Sequence, residues 1–235
     1  KKSTPSGKPS PAFALLLSNA DISRSHLFYS TPERSVDANL ESTKLGRLKL
    51  QSANDALAIE SQNIQVQNSR VAYRDPEAIA TLGHLNAGDM DFSQLNADIP
   101  VFSFQNDTLY LQANSLTGND KSGLQIHSLR AITRVTPGSI ELKEALATMN
   151  RTSLDGDVVL YKNDKASFDR MKVDLRHVKG YVDDLDRAIP PQKNPALAKL
   201  HDMPFEVSGN ISGWLQNLQM ENIRFLAGQG TVVYF

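Results

Sequence analysis

Residues 205–213 read Phe205-Glu-Val-Ser-Gly-Asn-Ile-Ser-Gly213, so an apolar residue or a glycine stands at every second position. The positions between them hold only polar side chains. A period of two is typical of a β-strand that has one covered face and one face in water. This stretch therefore predicts an amphipathic strand.

Shorter pieces of the same alternation recur along the chain at a spacing of about ten residues, as in sandwich, barrel or extended β architectures. They are Ile64/Val66, Val71/Tyr73, Leu109/Leu111, Leu124/Ile126, Ile140/Leu142, Val158/Leu160, Val173/Leu175 and Ile223/Phe225. Turn signals separate them at residues 117–120, 136–139, 162–165 and 228–230. Clean alternation favours antiparallel strands. We predict an antiparallel all-β fold, with short helices only near residues 78–85, 183–189 and 195–200.

One segment echoes another 44 residues further on (69 − 25 = 44). The stretch from Ser25 to Glu33 shares its Ser, Tyr, Pro and Glu with the stretch from Ser69 to Glu77. Such an echo is typical of a repeated supersecondary unit whose members stack on each other. Alternating strands also resemble one another without any repeat, so both interpretations stay open.

The composition excludes several classes of protein. The chain has 235 residues, 25 Lys and Arg against 26 Asp and Glu, a formal net charge of -1 and no Cys. Disulfides and Cys-ligated metals are therefore impossible. A nucleic-acid binder would need a basic excess to neutralise phosphates, so nucleic acid is not an expected partner. The longest apolar run, residues 12–17, is far shorter than the roughly 20 residues of a membrane-spanning helix.

The sequence offers no catalytic constellation. The five His are scattered, and no nucleophile elbow, phosphate loop or dinucleotide fingerprint is present. Asp183, Asp184 and Asp186 form one acidic cluster, which could hold a hard cation or serve as N-terminal helix charges. The second interpretation fits better, because the spacing is not that of an EF-hand. We predict a protein that is not an enzyme, with no catalytic residue, cofactor or metal.

The two ends suggest how the chain is organised. Residues 1–11 contain no apolar side chain and are interpreted as a linker or an expression remnant. Residues 231–235 are a strong strand pattern that stops abruptly. We interpret residues 12–235 as one β-repeat segment of a longer protein.

Residues 203–225, Met203-Pro-Phe-Glu-Val-Ser-Gly-Asn-Ile-Ser-Gly-Trp-Leu-Gln-Asn-Leu-Gln-Met-Glu-Asn-Ile-Arg-Phe225, carry a family resemblance. They resemble the β-repeat region of the TamB family, the translocation and assembly module proteins of the AsmA-like group. The segments Ser122 to Ile126, Leu142 to Leu160 and Asp183 to Pro190 also resemble the Bacteroidetes-type members. The resemblance implies an elongated, curved antiparallel sheet shaped like a gutter. It also implies a periplasmic location, an inner-membrane anchor outside this chain and an outer-membrane barrel protein as partner. The implied roles are envelope assembly, protein secretion and lipid transport.

A gutter of this kind would leave its apolar face as a groove for phospholipid or another lipid. The predicted groove residues are Ile59, Val66, Val71, Leu142, Leu160, Leu175, Val207, Ile211 and Phe225. Gly209 and Gly213 would leave room beside Ile211. The same residues would equally suit the filled core of a closed β domain, and the resemblance favours the groove. The alternative function is a structural or adhesive secreted β domain.

Overall fold

A computed structural model describes residues 12–32, 34–53, 56–78, 83–86, 88–162, 168–184, 202–228 and 230–234. These residues form one curved, open, antiparallel sheet of 14 strands. The prediction of an all-β, curved antiparallel fold is confirmed. Residues 1–11 lie outside the described part of the chain.

Successive strands pair as neighbours over most of the sheet, from β5 through to β14. The strands are β1 (Phe13–Leu17), β2 (Ala20–Ser30), β3 (Ser35–Leu45), β4 (Leu48–Ala53), β5 (Ala56–Arg74), β6 (Asp89–Gln105), β7 (Thr108–Asp120), β8 (Gln125–Val135), β9 (Ser139–Met149), β10 (Thr152–Lys162), β11 (Phe168–Tyr181), β12 (Pro204–Trp214), β13 (Asn217–Ala227) and β14 (Thr231–Tyr234). The long strand β5 pairs with β4 along its first part and with β3 along its second. Strands β1 and β2 in turn pair with β4 and β3, and they form one edge of the sheet.

The strands are longer than the alternating pieces of sequence, because pairs of adjacent exposed residues interrupt the alternation without ending the strand. In β5 the first such pair is Gln62 and Asn63, and the second is Gln67 and Asn68. Asn63 and Asn68 have left-handed backbones, with φ of 54° and 45°. A β-bulge of this kind inserts one extra residue and bends the strand.

The bulges recur on other strands with the same pattern. Left-handed residues lie at Arg24 in β2, Gln94 in β6, Glu144 in β9 and Asn222 in β13, and each follows another exposed residue. Since every extra residue lies on the polar face, that face is lengthened relative to the apolar one. The sheet therefore bends towards its apolar face, which becomes the inner side of the curve.

The 44-residue echo corresponds to a shared local structure. Arg24 and Asn68 are equivalent positions, and their φ angles are 46° and 45°. The serine after each bulge also repeats one contact: the Ser25 hydroxyl donates to the Ser23 carbonyl at 3.1 Å, and the Ser69 hydroxyl donates to the Gln67 carbonyl at 3.0 Å. Their strands, β2 and β5, are the two neighbours of β3.

The predicted helices and turns have mixed outcomes. Residues 182–184 are helical, whereas Ala78 and residues 83–85 are not; residues 79–82, 185–189 and 195–200 lie outside the described part. The turns at residues 136–139 and 228–230 are confirmed in the positions that are described, and residues 163–165 of the turn predicted at 162–165 lie outside the described part. The turn at residues 117–120 is wrong, because β7 continues to Asp120. Asp120 accepts the N–H of Asp91 on the neighbouring strand, so its carboxylate serves the sheet and the turn that follows it.

Candidate functional site

The apolar face of the sheet is the candidate functional site. Residues that pair across successive strands form rows, and three rows on this face are almost entirely apolar. The first row contains Leu15, Leu50, Ile59, Phe104, Leu109, Val135, Ile140, Leu160 and Met171. The second contains Leu17, Leu48, Ser61, Phe102, Leu111, Thr133, Leu142, Val158, Val173, Ile211 and Met220. The third contains Ile22, Thr43, Val66, Ala97, Leu116, Leu129, Ala147, Leu154, Val178, Val207, Phe225 and Val233.

These rows bring most of the predicted groove residues together. Seven of the nine lie in them: Ile59 and Leu160 in the first row, Leu142 and Ile211 in the second, and Val66, Val207 and Phe225 in the third. The remaining two lie in shorter rows. Val71 pairs with Ala38 and Phe92, and Leu175 pairs with Gly156 and Gly209.

The bulges of β5 explain how three of these residues reach one face. Val66 is seven residues after Ile59 and Val71 is five after Val66, so strict alternation would place Val66 on the opposite face. One bulge in each interval adds a residue, so Val66 and Val71 lie on the same face as Ile59. The exposure pattern agrees, because Ile59, Val66 and Val71 are all less exposed than the bulge residues between them.

Most side chains on this face are only partly covered. All nine predicted groove residues have intermediate exposure, neither buried nor fully exposed. Ser69 is the largest side chain that is less than 2% exposed among the described residues. Alanines such as Ala113, Ala131 and Ala145 are among the buried apolar residues, and the larger ones include Phe205 and Ile223, at 4% and 5% exposure. Within the described residues, burial of large apolar side chains is therefore local, and most of the large side chains in the three rows stay partly exposed.

One end of the face is covered. Val178, Val182 and Phe205 form a buried cluster, against which Leu154, Leu175, Met203, Val207 and Phe225 pack. Val182 belongs to the helical residues 182–184, which therefore lie over the apolar face at β11 to β13. Three predicted groove residues, Leu175, Val207 and Phe225, contact this cluster.

Gly209 and Gly213 do not leave open room beside Ile211, as the sequence suggested. A Cβ at Gly209 would lie 2.6 Å from the Asn222 carbonyl oxygen, and one at Gly213 would lie 2.7 Å from the Asn217 carbonyl oxygen. Both residues have positive φ, of 127° and 119°. The space is occupied by β13, and the glycines allow a strand conformation that other residues rarely adopt.

The polar face carries cross-strand ion pairs. Arg70 binds Asp91 through two nitrogens, at 2.8 and 2.6 Å, and this contact raises the pKa of the Arg70 guanidinium. Another network joins Lys143, Asp155, Asp157 and Arg176. Burial raises the pKa of Asp157, but hydrogen bonds from the Glu144 N–H, Arg176 and Lys143 outweigh it, so the pKa is lowered overall. These charges keep the outer face in water and leave the inner face apolar.

The acidic cluster binds an arginine. The Arg151 guanidinium donates to Asp183 at 3.0 Å and to Asp202 at 2.9 Å, and it stacks on the Tyr181 ring at 4.0 Å. Asp184 accepts the Arg151 N–H at 3.0 Å. Asp183 and Asp184, at the β11 end of the β11–β12 connection, and Asp202, at its β12 end, are therefore all fastened to the β9–β10 turn. Asp186 lies outside the described part of the chain. Within the described residues, no group of acidic or His side chains is arranged to hold a metal ion.

Sequence reasoning missed two features of the polar surface. A cavity of about 290 Å³ opens beside the bulges of β2 and β5, and Arg24, His26 and Arg70 are among its lining residues. Arg170 stacks between Tyr161 and Trp214, at 4.3 and 5.8 Å from their ring centres. Neither could be found from the sequence, because both depend on which strands become neighbours.

No protein family, curated protein or solved structure matches this chain. Within the described residues, no helix is long and apolar enough to cross a bilayer.

Proposed function

We propose that this chain is a non-enzymatic envelope scaffold whose apolar inner face holds lipid acyl chains. The supporting observation is the combination of three continuous apolar rows with incomplete burial of most of their side chains. Burying a CH₂ group of a lipid against such a surface contributes about 0.8 kcal/mol. No catalytic residue is needed for that function.

The three apolar rows run across the strands, so an acyl chain bound along a row would lie perpendicular to the strands. At about 4.8 Å per strand, the third row extends roughly 50 Å from β2 to β14. This length suits a path along the sheet better than a pocket for one small molecule. The covered end at Val182 and Phe205 is where such a path would narrow.

The resemblance to the TamB family supplies the setting for this proposal. In that setting the chain is a periplasmic segment of a translocation and assembly module, anchored in the inner membrane through another part of the protein. It contributes to outer-membrane biogenesis, protein secretion or lipid transport, and its partner is an outer-membrane barrel protein.

A matched pair of substitutions on one strand tests the proposal. Leu142 lies in the second row, whereas Leu146, on the same strand, is 44% exposed on the polar face. A carboxylate among apolar side chains is poorly solvated, so we expect Leu142→Asp to abolish binding of a fluorescent fatty-acid probe. Leu146→Asp should leave binding unchanged.

Thermal melting separates the alternatives. Loss of binding with the melting temperature retained supports the open groove. Unfolding of Leu142→Asp alone would indicate an ordinary core at that position, and the alternative of a structural or adhesive β domain would then be favoured. Equal loss of binding in both variants would contradict the assignment of the inner face.

A further inference from the structure

The edge of the sheet formed by β1 and β2 lacks an outer neighbour among the described residues. Strand β1 pairs only with β4, and β2 pairs only with β3. An unpaired edge offers its N–H and C=O groups to another strand, and proteins usually protect it with charges, Pro or bulges. Strand β1 reads Phe-Ala-Leu-Leu-Leu and carries no such protection.

Large apolar side chains are exposed at both ends of this edge. Phe13 and Leu16 are 50% and 59% exposed at one end, and Phe28 and Tyr29 are 62% and 54% exposed at the other. The middle of the edge, residues 18–25, holds polar residues and Ala20, with Ile22 as its one large apolar residue. Exposed apolar residues grouped in this way are typical of an interaction surface.

We propose that two copies of this chain pair through this edge, antiparallel, around a two-fold axis at Asp21. The apolar ends lie at equal distances on either side of that residue. Phe13 then faces Tyr29 of the second copy, and Leu15 faces Leu27 of the second copy. The β1 end of each copy is therefore covered by the β2 end of the other copy, which makes the edge complementary to itself.

The irregularities of the edge fit the same register. The strand pattern breaks at Ser18 and Asn19, between β1 and β2, and again at the bulge of Ser23 and Arg24. These two breaks are equally distant from Asp21, so in the antiparallel pair each meets the other. Apolar-face residues therefore stay opposite apolar-face residues along the whole edge, whereas a shift of one residue would mix the two faces.

The opposite edge of the sheet is a poorer partner for β1 and β2. Among the described residues that edge is stepped, because β14 pairs only with Arg224 to Ala227 of β13 and leaves Asn217 to Ile223 as the rest of the edge. In head-to-tail stacking, a continuous β1–β2 edge would therefore meet a partner strand along only part of its length. Head-to-tail stacking can also add copies without limit, whereas a two-fold pair ends at a dimer. In the two-fold pair Ile22, the first residue of the third row, faces Ala20 of the second copy, so the apolar faces become continuous.

Sedimentation analysis of the full chain tests the pairing. We expect a dimer for the wild type and a monomer for Leu27→Lys, which places a charge in the apolar end. In this pair Asp21 of one copy lies opposite Asp21 of the second copy. Like charges directly opposite each other destabilise a strand pair. Asp21→Asn should therefore lower the dimer dissociation constant several-fold. Circular dichroism of each variant confirms that the fold is retained.

Cross-linking tests the register, because the chain has no Cys of its own. Directly opposed residues of an antiparallel pair have Cα atoms about 4.5–5.5 Å apart, within the range of a disulfide. Asp21→Cys should give a disulfide-linked dimer under mild oxidation, and Val232→Cys on the opposite edge should not. A monomeric wild type, or preferential cross-linking through Val232→Cys, would overturn the proposal. So would a dimer in which Asp21→Cys fails to cross-link.

Discussion

The backbone N–H of Glu144 donates to a carboxylate oxygen of Asp157 at 2.9 Å, across the boundary between β9 and β10. Glu144 is the left-handed residue of the β9 bulge, with φ of 51°. A bulge leaves one backbone group without its partner in the ladder, and here a side chain from the next strand supplies that partner. Asn68 follows the same rule, because its N–H donates to Asn96 Oδ1 at 3.0 Å.

Two substitutions separate the two roles of Asp157, which accepts the Glu144 N–H and pairs with Lys143 and Arg176. Asp157→Asn keeps an oxygen for the Glu144 N–H but loses the charge that binds Lys143 and Arg176, so we expect a loss of about 0.5–1 kcal/mol in the free energy of unfolding. Asp157→Ala removes the acceptor as well, and a loss of about 1–3 kcal/mol is expected. Urea denaturation measures both. Equal losses in the two variants would contradict a role in capping the bulge.

The pH dependence of stability follows from the lowered pKa of Asp157. A carboxyl group whose folded pKa is below its unfolded value stabilises the protein at pH values above the unfolded pKa, which is about 3.9 for Asp. That contribution is lost as the pH falls through the folded pKa. Asp157→Asn should therefore lose less stability than the wild type between about pH 5 and the acid limit. Parallel acid-denaturation curves for the two proteins would argue against this assignment.

Glu144→Gly should stabilise the protein. A non-glycine residue in the left-handed region is strained by about 1 kcal/mol or more, and glycine removes that strain. The neighbouring Lys143 belongs to the same exposed pair but has no positive φ. Lys143→Gly should therefore destabilise, by roughly 0.5–1 kcal/mol through backbone entropy and further through loss of the Lys143–Asp157 contact. Thermal unfolding of both variants checks the prediction, and destabilisation by Glu144→Gly would contradict the bulge geometry.

Gly209→Ala should destabilise the sheet by about 2 kcal/mol or more, since it combines a disfavoured φ with a close contact to β13. Gly138 provides the control, because a Cβ there would meet nothing within 4 Å. Gly138→Ala should change the free energy of unfolding by less than about 0.5 kcal/mol. Similar effects of the two substitutions would show that β12 and β13 do not approach as closely as described.

Thr43→Val should be neutral or stabilising. Thr43 is buried in the third row, and its hydroxyl has no hydrogen-bond partner among the described residues. Replacing an unsatisfied buried hydroxyl with a methyl group removes a desolvation penalty of about 1–3 kcal/mol. The contrasting case is Thr152, whose hydroxyl donates to Asp184 at 2.8 Å. Thr152→Val should destabilise, and the opposite order in a denaturation experiment would contradict the contacts described for these residues.

The alternation of the sequence predicted the strands and most of the inner face, because a period of two is a local property of the chain. The bulges were missed, although they have a local signal: two polar residues between inward-facing ones, as in Val66-Gln-Asn-Ser69. That signal resembles a turn until the strand is known to continue. Contacts such as Arg151 with Asp202 could not be predicted, since they join residues 51 positions apart and depend on the order of the strands.

Photolabelling with a fatty acid that carries a diazirine on its acyl chain tests the open apolar groove, because it reports which residues the acyl chain contacts. We expect labels on inner-face residues of several strands, including Leu142, Leu160 and Val66. We expect none on Leu146, which lies on the polar face of the same strand as Leu142. Labels concentrated on Leu146 or on other polar-face residues, or no saturable labelling of the folded chain, would show that the inner face does not hold acyl chains.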